Sequence, residues 1–333
     1  MKIAVVGGGV VGLTSALEVQ RELRNAEVTV FAANFEDTVS HVAAGIFRIG
    51  SSYSGPTEEI TRKWVKDSYE YYDDIRRSPE ASLAGVTSIS GYIFANSNPN
   101  VVKSRWLEEV VPVYRRTTHE EHQLVGGSWK YGSFFTTLLT QCDLYLPWAR
   151  NRLQQNGAKL VQKKIYSLKE LCPEYQLIIN CTGFGARELC NDRSVIPIRG
   201  QVLKVKAPWM KTCFYGELDT YVIPGYGGLC TLGGSRHFDS ETTQICPYEI
   251  TAIRERCERL VPSLKSAIPV TQLTGIRPHR EGSVRVEPDR IEGSLTKVVH
   301  NYGHGGYGVC TSPGTAKYTV YWAKEILKSS NKL

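Results

Sequence analysis

The sequence lacks the features that would assign it to a membrane, to nucleic acid or to a metal. No apolar run approaches the roughly 20 residues of a membrane-spanning helix. No basic tail and no interleaving of basic with aromatic residues suggests nucleic-acid binding. The nine cysteines are odd in number and form neither a CxxC pair nor a metal-ligand spacing. These absences favour a soluble, intracellular protein with free thiols in a reducing compartment.

The composition is that of a folded protein. The 333 residues suffice for one large or two modest domains. With 41% hydrophobic and 22% charged residues, the chain is expected to bury a substantial core. The net charge of +7 would suit an anionic cofactor or substrate, although an excess of this size usually serves only solubility.

A glycine cluster near the N-terminus indicates a dinucleotide site. Lys2–Val6 is a short apolar strand, Val11–Arg24 has helical spacing, and Glu27–Phe31 forms a second strand. Between the first strand and the helix, Gly7, Gly9 and Gly12 give the pattern G-x-G-x-x-G. In this context the glycines allow a tight turn, close approach of a pyrophosphate and close helix packing.

This motif alone does not choose among NAD, NADP and FAD. An acidic residue is expected to bind a ribose at the end of the second strand. Here that end reads Phe31-Ala-Ala-Asn34, so the polar side chain at this position is an amide.

The rest of the chain predicts an α/β protein with an inserted sheet. Helices are predicted over 57–77, Pro247–Leu264 and Ala316–Leu327. Residues 133–161 are predicted as a loop, then a helix that ends near Gly157, then a strand. Tyr175–Cys181 is an apolar strand that runs into a Thr-Gly turn, and 196–206 and 219–237 contain alternating strands with Pro-Gly turns.

Eight ordered blocks resemble the D-amino-acid oxidase and D-aspartate oxidase family of FAD enzymes, and they lie closer to its D-aspartate oxidases. They read VVGGGVVGLTSA, HVAAGIF, IINCTGFGA, IPIRGQV, YVIPG, TLGG, TGIRPHR and HNYGHGGYG. The resemblance implies a Rossmann-like FAD-binding domain of residues 1–48, 145–195 and 270–333. It also implies an inserted antiparallel-sheet, substrate-binding domain of residues 49–144 and 196–269.

By position, the resemblance implies a set of residues that contact non-covalently bound FAD. They are Gly7, Gly9, Val10, Val11, Gly12, Asn34, Thr38, Ser40, Ala43, Ala44, Gly45, Ile165, Thr182, Gly183, Arg277, Gly303, Gly305, Gly306, Tyr307, Gly308, Val309 and Cys310. The chain departs from the family after the second strand, where the family usually has Asp-Arg and this chain has Ala33-Asn34. It departs again in the loop between Trp209 and Tyr221, which is short and predicts an open site.

The resemblance also implies a substrate site. Arg277 would bind the α-carboxylate with two parallel hydrogen bonds, and Tyr221 would place its hydroxyl on the same group. Without the family, Arg277 could be a surface arginine and Tyr221 a packed aromatic residue.

Arg236 is the residue on which the substrate prediction depends. If the strand continues from Gly228 to Arg236, the arginine ends a face that carries Cys230, Leu232 and Gly234. There it would bind the side-chain carboxylate of an acidic substrate, as an arginine does in D-aspartate-oxidising members of the family. The alternative is that Arg236 reaches solvent or pairs with a protein carboxylate.

The resemblance therefore implies oxidative deamination of D-aspartate and D-glutamate. A hydride would pass from Cα to flavin N5, and O2 would be consumed to give a 2-oxo acid, NH3 and H2O2. No side-chain acid or base is required, because catalysis would rest on positioning. Three alternatives stay open: oxidation of neutral or basic D-amino acids, an NAD-dependent dehydrogenase, and a flavin-binding scaffold without turnover.

Two further predictions concern histidines and location. His300 and His304 lie in the predicted flavin segment and are expected to be structural. The last three residues, Asn331 to Leu333, resemble the peroxisomal tripeptide Ser-Lys-Leu. They predict a peroxisomal import receptor as a partner and a location in the peroxisomal matrix, with the cytoplasm as the alternative.

Overall fold

The computed structural model describes residues 1–50 and 53–330, without the side chains of 329 and 330. The C-terminal tripeptide lies outside the described residues, so the import signal stays a prediction. Within the described part, no helix has the length and apolar character needed to cross a membrane. All nine cysteines are described, and each is a free thiol.

The strands form two sheets. In chain order they are β1 (Lys2–Val6), β2 (Glu27–Ala32), β3 (Val86–Ala95), β4 (Val113–Arg116), β5 (Tyr131–Thr140), β6 (Lys159–Gln162), β7 (Leu177–Asn180), β8 (Val195–Lys206), β9 (Cys213–Tyr215), β10 (Tyr221–Pro224), β11 (Leu229–Gly233), β12 (His237–Phe238), β13 (Ile268–Arg280), β14 (Arg285–Arg290) and β15 (Lys297–Tyr302).

The helices pack on these sheets. They are α1 (Val10–Glu22), α2 (Val39–Val42), α3 (Glu58–Arg77), α4 (Arg105–Val110), α5 (Cys142–Gln155), α6 (Ala186–Leu189), α7 (Pro247–Leu260) and α8 (Gly308–Ser330). The expected mixed α/β architecture is therefore present.

The first sheet contains the predicted dinucleotide-binding unit. Its six described strands run in the order β14-β15-β7-β1-β2-β6. Adjacent strands in this sheet are parallel, except that β14 pairs antiparallel with β15. Because β7 and β2 flank β1 in parallel, the carboxyl ends of the three strands meet at one edge, where a ligand is expected to bind.

The second sheet is mostly antiparallel. Its order is β12-β8-β11-β10-β9-β3-β5-β4, with β13 also paired to β8. β3 and β9 are parallel neighbours, whereas the other pairs are antiparallel. Apolar side chains from β8, β10 and β11 pack against α7 in a core of their own.

Strands β8 and β13 form a long pair in the second sheet. The chain continues from β13 to β14, which belongs to the first sheet. The β8–β13 pairing runs from Ile268 opposite Lys206 to Arg280 opposite Val195, with one irregularity near Pro269. β13 crosses the predicted boundary at residue 270, and the division into domains remains a prediction.

The predictions for 133–140 and for the start of the last helix are wrong. The segment 133–140, predicted as a loop, belongs to β5, which pairs with both β3 and β4. Its aromatic and β-branched residues fit a strand, but the pairing that stabilises it comes from distant residues. The final helix begins at Gly308, eight residues before the predicted start, with Pro313 inside it.

Helix α8 tolerates Pro313 because α3 provides replacement hydrogen bonds. A proline cannot donate to the carbonyl four residues earlier, here that of Val309. The Tyr72 hydroxyl donates to this carbonyl at 2.8 Å. The neighbouring amide of Gly314 donates to Ser68 Oγ at 2.8 Å. The helix start is therefore decided by packing against α3.

Replacement of Tyr72 by Phe is expected to lower the free energy of unfolding by about 1–3 kcal/mol, because the buried Val309 carbonyl loses its donor. Urea titration measures the effect. Tyr69→Phe is the matched control, since Tyr69 lies on the same helix and its hydroxyl has no hydrogen bond with a described residue. In a Pro313→Ala background the restored N–H should reduce the cost of Tyr72→Phe. An equal cost in both backgrounds would contradict this explanation.

Candidate active site

The glycine turn after β1 has no room for side chains. Gly7 has a φ of +136°, and a Cβ there would overlap the Cys181 carbonyl at the end of β7. A Cβ at Gly12 would overlap the Gly7 carbonyl. These contacts bring β1, β7 and the start of α1 together, as the motif predicts.

The first turn of α1 lies open beside the loop that follows β2. Gly9 is its N-cap and provides no side-chain cap, and the first turn has no acidic residue. The Val10 amide donates to Ser40 Oγ at 3.0 Å. A Cβ at Gly9 would lie 3.2 Å from Ser40 Oγ and 3.8 Å from Thr38 Oγ1. Thr38 and Ser40 therefore lie beside the glycine turn.

Helix α8 begins at the same place. A Cβ at Gly308 would lie 3.8 Å from a methyl of Val11 and 3.9 Å from one of Val10. Val10, Val11 and Gly308 are thus neighbours, and the N-termini of α1 and α8 converge. Two helix N-termini together form a region favourable to negative charge.

Asn34 lies at the end of β2, next to the turn. Its carbonyl would be 2.9 Å from a Cβ at Gly8. Its Oδ1 accepts from the amides of Glu36 at 2.8 Å and Asp37 at 3.2 Å. The side-chain carbonyl therefore stabilises the following turn, which leaves the Nδ2 amide for a ligand.

The other predicted cofactor residues surround this region. Ile165 is buried beside β1 and β2. Thr182 Oγ1 donates to Asn180 Oδ1 at 2.8 Å, and Gly183 has a φ of +57°. Ala43 and Ala44 are half-buried, and a Cβ at Gly45 would overlap the Thr140 carbonyl of β5.

Arg277 lies across a glycine of the neighbouring strand. A Cβ at Gly200 would overlap its guanidinium, and one at Gly306 would lie 3.4 Å from its Cδ. Nη1 donates to the Ser235 carbonyl at 3.1 Å. Arg277 forms no ion pair with the described residues. The cation is half-buried, fixed in position and left without an anion.

Tyr221 lies across two more glycines. It is paired with Gly233 across the β10–β11 ladder, and a Cβ at Gly233 would overlap its ring. A Cβ at Gly234 would lie 2.9 Å from its hydroxyl oxygen. Burial raises the pKa of Tyr221, and the charge and hydrogen bond of Arg277 oppose that shift. The phenol is therefore neutral at neutral pH and beside Arg277.

A buried ion pair supports Arg277 through Ser235, and the sequence analysis missed it. Arg199 Nη1 donates to both carboxylate oxygens of Glu249 at 2.8 Å. Ser235 Oγ donates to the same carboxylate at 2.9 Å. Burial acts to raise the pKa of Glu249, but Arg199 and Ser235 outweigh it and hold the pKa below its usual range. The only sequence signal was an arginine in IPIRGQV, inside an apolar strand.

Arg236 does not lie on the predicted strand face. β11 ends at Gly233, because the chain turns where the Tyr221 ring covers the glycine pair. The Arg236 side chain is 48% exposed and pairs with Asp219, 42% exposed, at 3.0 Å. The prediction that the strand continues to Arg236 is therefore wrong. The structure shows the alternative, in which Arg236 pairs with a protein carboxylate.

The two histidines are held inside the protein. His304 Nε2 lies 3.0 Å from Thr315 Oγ1 of α8, and burial lowers its pKa to about 3. His300 accepts from the Asn180 amide at Nδ1, and its Nε2 lies 3.0 Å from Asp289. Burial lowers the pKa of His300 as well. Both are hydrogen-bonded as expected of structural histidines.

The comparisons with known proteins agree with this geometry. The family model described as "FAD dependent oxidoreductase" (DAO) matches residues 2–322. The chain belongs to this family of FAD-dependent oxidoreductases. The resemblance stated from the sequence blocks is confirmed.

The relatives of this FAD-dependent oxidoreductase cover nearly its whole length. D-aspartate oxidase of Homo sapiens is 35% identical over 95% of this chain and 92% of the relative. D-amino-acid oxidase of Rubrobacter xylanophilus is 33% identical over 95% of this chain and 94% of the relative. The crystal structure of glycine oxidase from Bacillus cereus superposes with a TM-score of 0.81 at 17% identity, covering 97% and 95% of the two chains. That last similarity concerns the fold.

The residues present fit FAD. Gly7 and Gly12 let backbone pack against backbone, which sets the tight turn between β1 and α1. The nearest neighbours of a Cβ at Gly9 would be the side chains of Ser40 and Thr38, and the first turn of α1 has no N-cap side chain, so a pyrophosphate could approach there. Thr182 and Asn34 would lie toward the adenosine half of the cofactor. Ala43–Gly45 and the segment 303–310 would lie against the isoalloxazine.

Acidification is expected to destabilise the protein through His304. Its pKa is about 3 when folded and about 6.5 when unfolded, so the unfolded chain gains a proton first as the pH falls. The stabilisation present above pH 6.5 should therefore decrease by up to about 1.4 kcal/mol per pH unit below it. Urea unfolding with saturating FAD from pH 7.5 to 4.5 measures this slope.

His304→Gln, which keeps a hydrogen-bonding group near Thr315, should have a shallower acid slope than the wild type. His119→Gln, at an exposed position, is the control and should keep the wild-type slope. If His304→Gln also kept that slope, His304 would not be the group responsible.

Proposed function

We propose that this FAD-dependent oxidoreductase catalyses the oxidative deamination of D-amino acids and prefers acidic ones, D-aspartate and D-glutamate. The observation that carries the proposal is the state of Arg277. This guanidinium is half-buried, fixed by the Ser235 carbonyl and without a carboxylate among the described residues. Since a desolvated cation without an anion is costly, the position suits a bound carboxylate.

The neighbours of Arg277 define how the substrate would be oriented. Tyr221 would add a hydrogen bond to the α-carboxylate. Gly306, which lies against the Arg277 side chain, belongs to the segment expected at the flavin ring. An α-carboxylate held between Arg277 and Tyr221 would therefore present its Cα close to the cofactor. Orientation of this kind is a large part of catalysis by such sites.

The reaction balances as D-amino acid, O2 and water giving a 2-oxo acid, ammonia and H2O2. Bound FAD supplies the acceptor for the hydrogen and electrons that leave the substrate Cα, before O2 takes them up. The chain's own residues need only bind and orient the neutral amine.

The buried thiols and phenols at the site are not suited to act as a base. Burial raises the pKa of Cys310 to about 11 and that of Cys213 to about 12. It raises the pKa of Tyr215 and Tyr221 as well. At neutral pH these groups are all protonated, which agrees with a mechanism that uses no side-chain acid or base.

The preference for acidic substrates rests on two supports. One is the similarity along 95% of the chain to a D-aspartate oxidase. The other is Arg236, which follows Ser235 directly and would meet a side-chain carboxylate at the rim of the site. Its ion pair with Asp219 is half-exposed, and pairs of this kind contribute only about 0.2–1 kcal/mol, so an exchange of partners would cost little.

We propose the peroxisomal matrix as the location on chemical grounds, because the reaction releases H2O2 and that compartment contains catalase. A fluorescent protein fused to the N-terminus of the full chain should co-localise with a peroxisomal marker. Replacement of Lys332 by Glu in the same fusion should disperse the signal. A diffuse signal from the unmodified chain would contradict the proposal and favour the cytoplasm.

The FAD-loaded protein is expected to produce H2O2 from D-aspartate with a kcat/KM at least tenfold above that for D-alanine or D-methionine, with D-glutamate second. A coupled peroxide assay across these four substrates measures this order. Loss of a charge-assisted pair worth about 1.5–3 kcal/mol corresponds to such a ratio.

Arg277→Met should abolish turnover of all four substrates while flavin absorbance persists. Arg290→Met, at the exposed end of β14, is the control with unchanged kinetics. Preference of the wild type for D-alanine would replace the proposal with oxidation of neutral D-amino acids. If none of the four substrates yields peroxide, the result would favour a flavin-binding scaffold without turnover.

A further inference from the structure

Arg48 is a half-buried arginine without an acceptor. Its guanidinium lies over the ring of Tyr215, 4.5 Å from the centroid. Within residues 1–50 and 53–330 it has no ion pair and no side-chain hydrogen bond. Every other buried or half-buried arginine of this part donates to a carboxylate or a carbonyl oxygen, as Arg199 does to Glu249 and Arg187 to the Val195 carbonyl.

This isolation makes Arg48 unlike a structural arginine. A cation withdrawn from water is expected to meet an anion, because desolvation without compensation is costly. A cation–π contact of this kind offsets part of that cost but leaves the guanidinium N–H groups without acceptors. The position therefore suits an anion that arrives with a ligand.

The position of Arg48 relates it to the substrate site. The rings of Tyr215 and Tyr221 are in contact, with centroids 5.9 Å apart, and Tyr221 interacts with Arg277. Arg48 thus contacts Tyr215, Tyr215 contacts Tyr221, and Tyr221 contacts Arg277. The Arg48 backbone also lies near the segment expected at the flavin, since Cys310 Sγ is 3.8 Å from the Arg48 carbonyl oxygen.

Arg48 differs from Arg236 in what binding would require. Arg236 is half-exposed and already holds Asp219, so a ligand must compete with that carboxylate and with water. Arg48 has no anion to release, and it is less exposed to solvent than Arg236. Electrostatic attraction to a ligand carboxylate is accordingly stronger at Arg48 than at the rim.

We propose that Arg48 binds the side-chain carboxylate of the acidic D-amino acid and is the main determinant of that specificity, with Arg236 in a lesser role at the rim. This inference rests on the proposed function and names the residue that would carry its substrate preference. A neutral side chain would leave Arg48 unpaired, whereas an acidic one would complete an ion pair at each end of the substrate.

The test compares two substrates that differ only at the distal carboxylate. D-aspartate and D-2-aminobutanoate share the rest of their skeleton. Arg48→Met should lower kcat/KM for D-aspartate about ten- to a hundredfold. It should leave the value for D-2-aminobutanoate within about threefold of the wild type. Arg48→Lys should recover part of the loss, because it restores the charge without the planar donor set.

A binding measurement gives a second readout that does not depend on turnover. Isothermal titration with succinate and butanoate uses the same pair of skeletons without the amine. Arg48→Met should weaken succinate at least tenfold and leave butanoate unchanged. Arg116→Met is the matched control, an exposed arginine on β4 without an ion pair among the described residues. Arg48→Gln replaces Arg48→Met if the latter does not retain flavin.

The possible results separate this inference from the proposed function. If the wild type shows no preference for D-aspartate over D-2-aminobutanoate, the acidic preference itself fails, and this inference with it. If the wild type shows that preference and Arg48→Met keeps it, only the role of Arg48 is overturned. An equal loss with both substrates also overturns it, because Arg48 would then act on the site as a whole. Loss of the preference in Arg236→Leu but not in Arg48→Met would assign the specificity to Arg236.

Discussion

The candidate site depends on three glycines at which any side chain would collide with Arg277 or Tyr221. Arg277 occupies the space above Gly200, and Tyr221 occupies the space above Gly233 and Gly234. Any larger residue at Gly200 or Gly233 would overlap the guanidinium or the phenol. Because protein interiors are close-packed, these two side chains have the observed orientations and few others. The sheet therefore fixes the orientation of both side chains of the candidate carboxylate site. The Arg199–Glu249 pair holds Ser235, whose carbonyl accepts a hydrogen bond from Arg277.

The same principle organises the cofactor side. Gly7 and Gly12 bring backbone against backbone, and α8 begins beside α1 with the help of Tyr72 and Ser68 from α3. Strand β13 connects the two halves, since it pairs along β8 and carries Arg277 toward the 303–310 segment. The candidate cofactor and substrate positions are thus related through one continuous strand pair.

Much of the fold followed from local patterns. The βαβ unit, the strand of β7 and the helix α3 are each specified by short-range periodicity and by glycine positions that sequence makes visible. The ordered blocks indicated the family, and through it Arg277, Tyr221 and FAD. The errors share one cause. β5 is stabilised by two partner strands, α8 passes through Pro313 because of Tyr72, and β11 stops at Gly233 because a ring lies over it.

The sequence by itself determined the glycine turn, the family and the candidate arginine for an α-carboxylate, because these depend on residue types at fixed spacing. Only the tertiary structure decided which arginines are left without an anion. Arg236, which the strand pattern placed in the substrate site, is paired with Asp219 at the surface. Arg48, which no sequence pattern indicated, is half-buried over the Tyr215 ring without an acceptor. Charge pairing and desolvation are properties of neighbours in space, and residues 48 and 215 become neighbours only when the sheet is assembled.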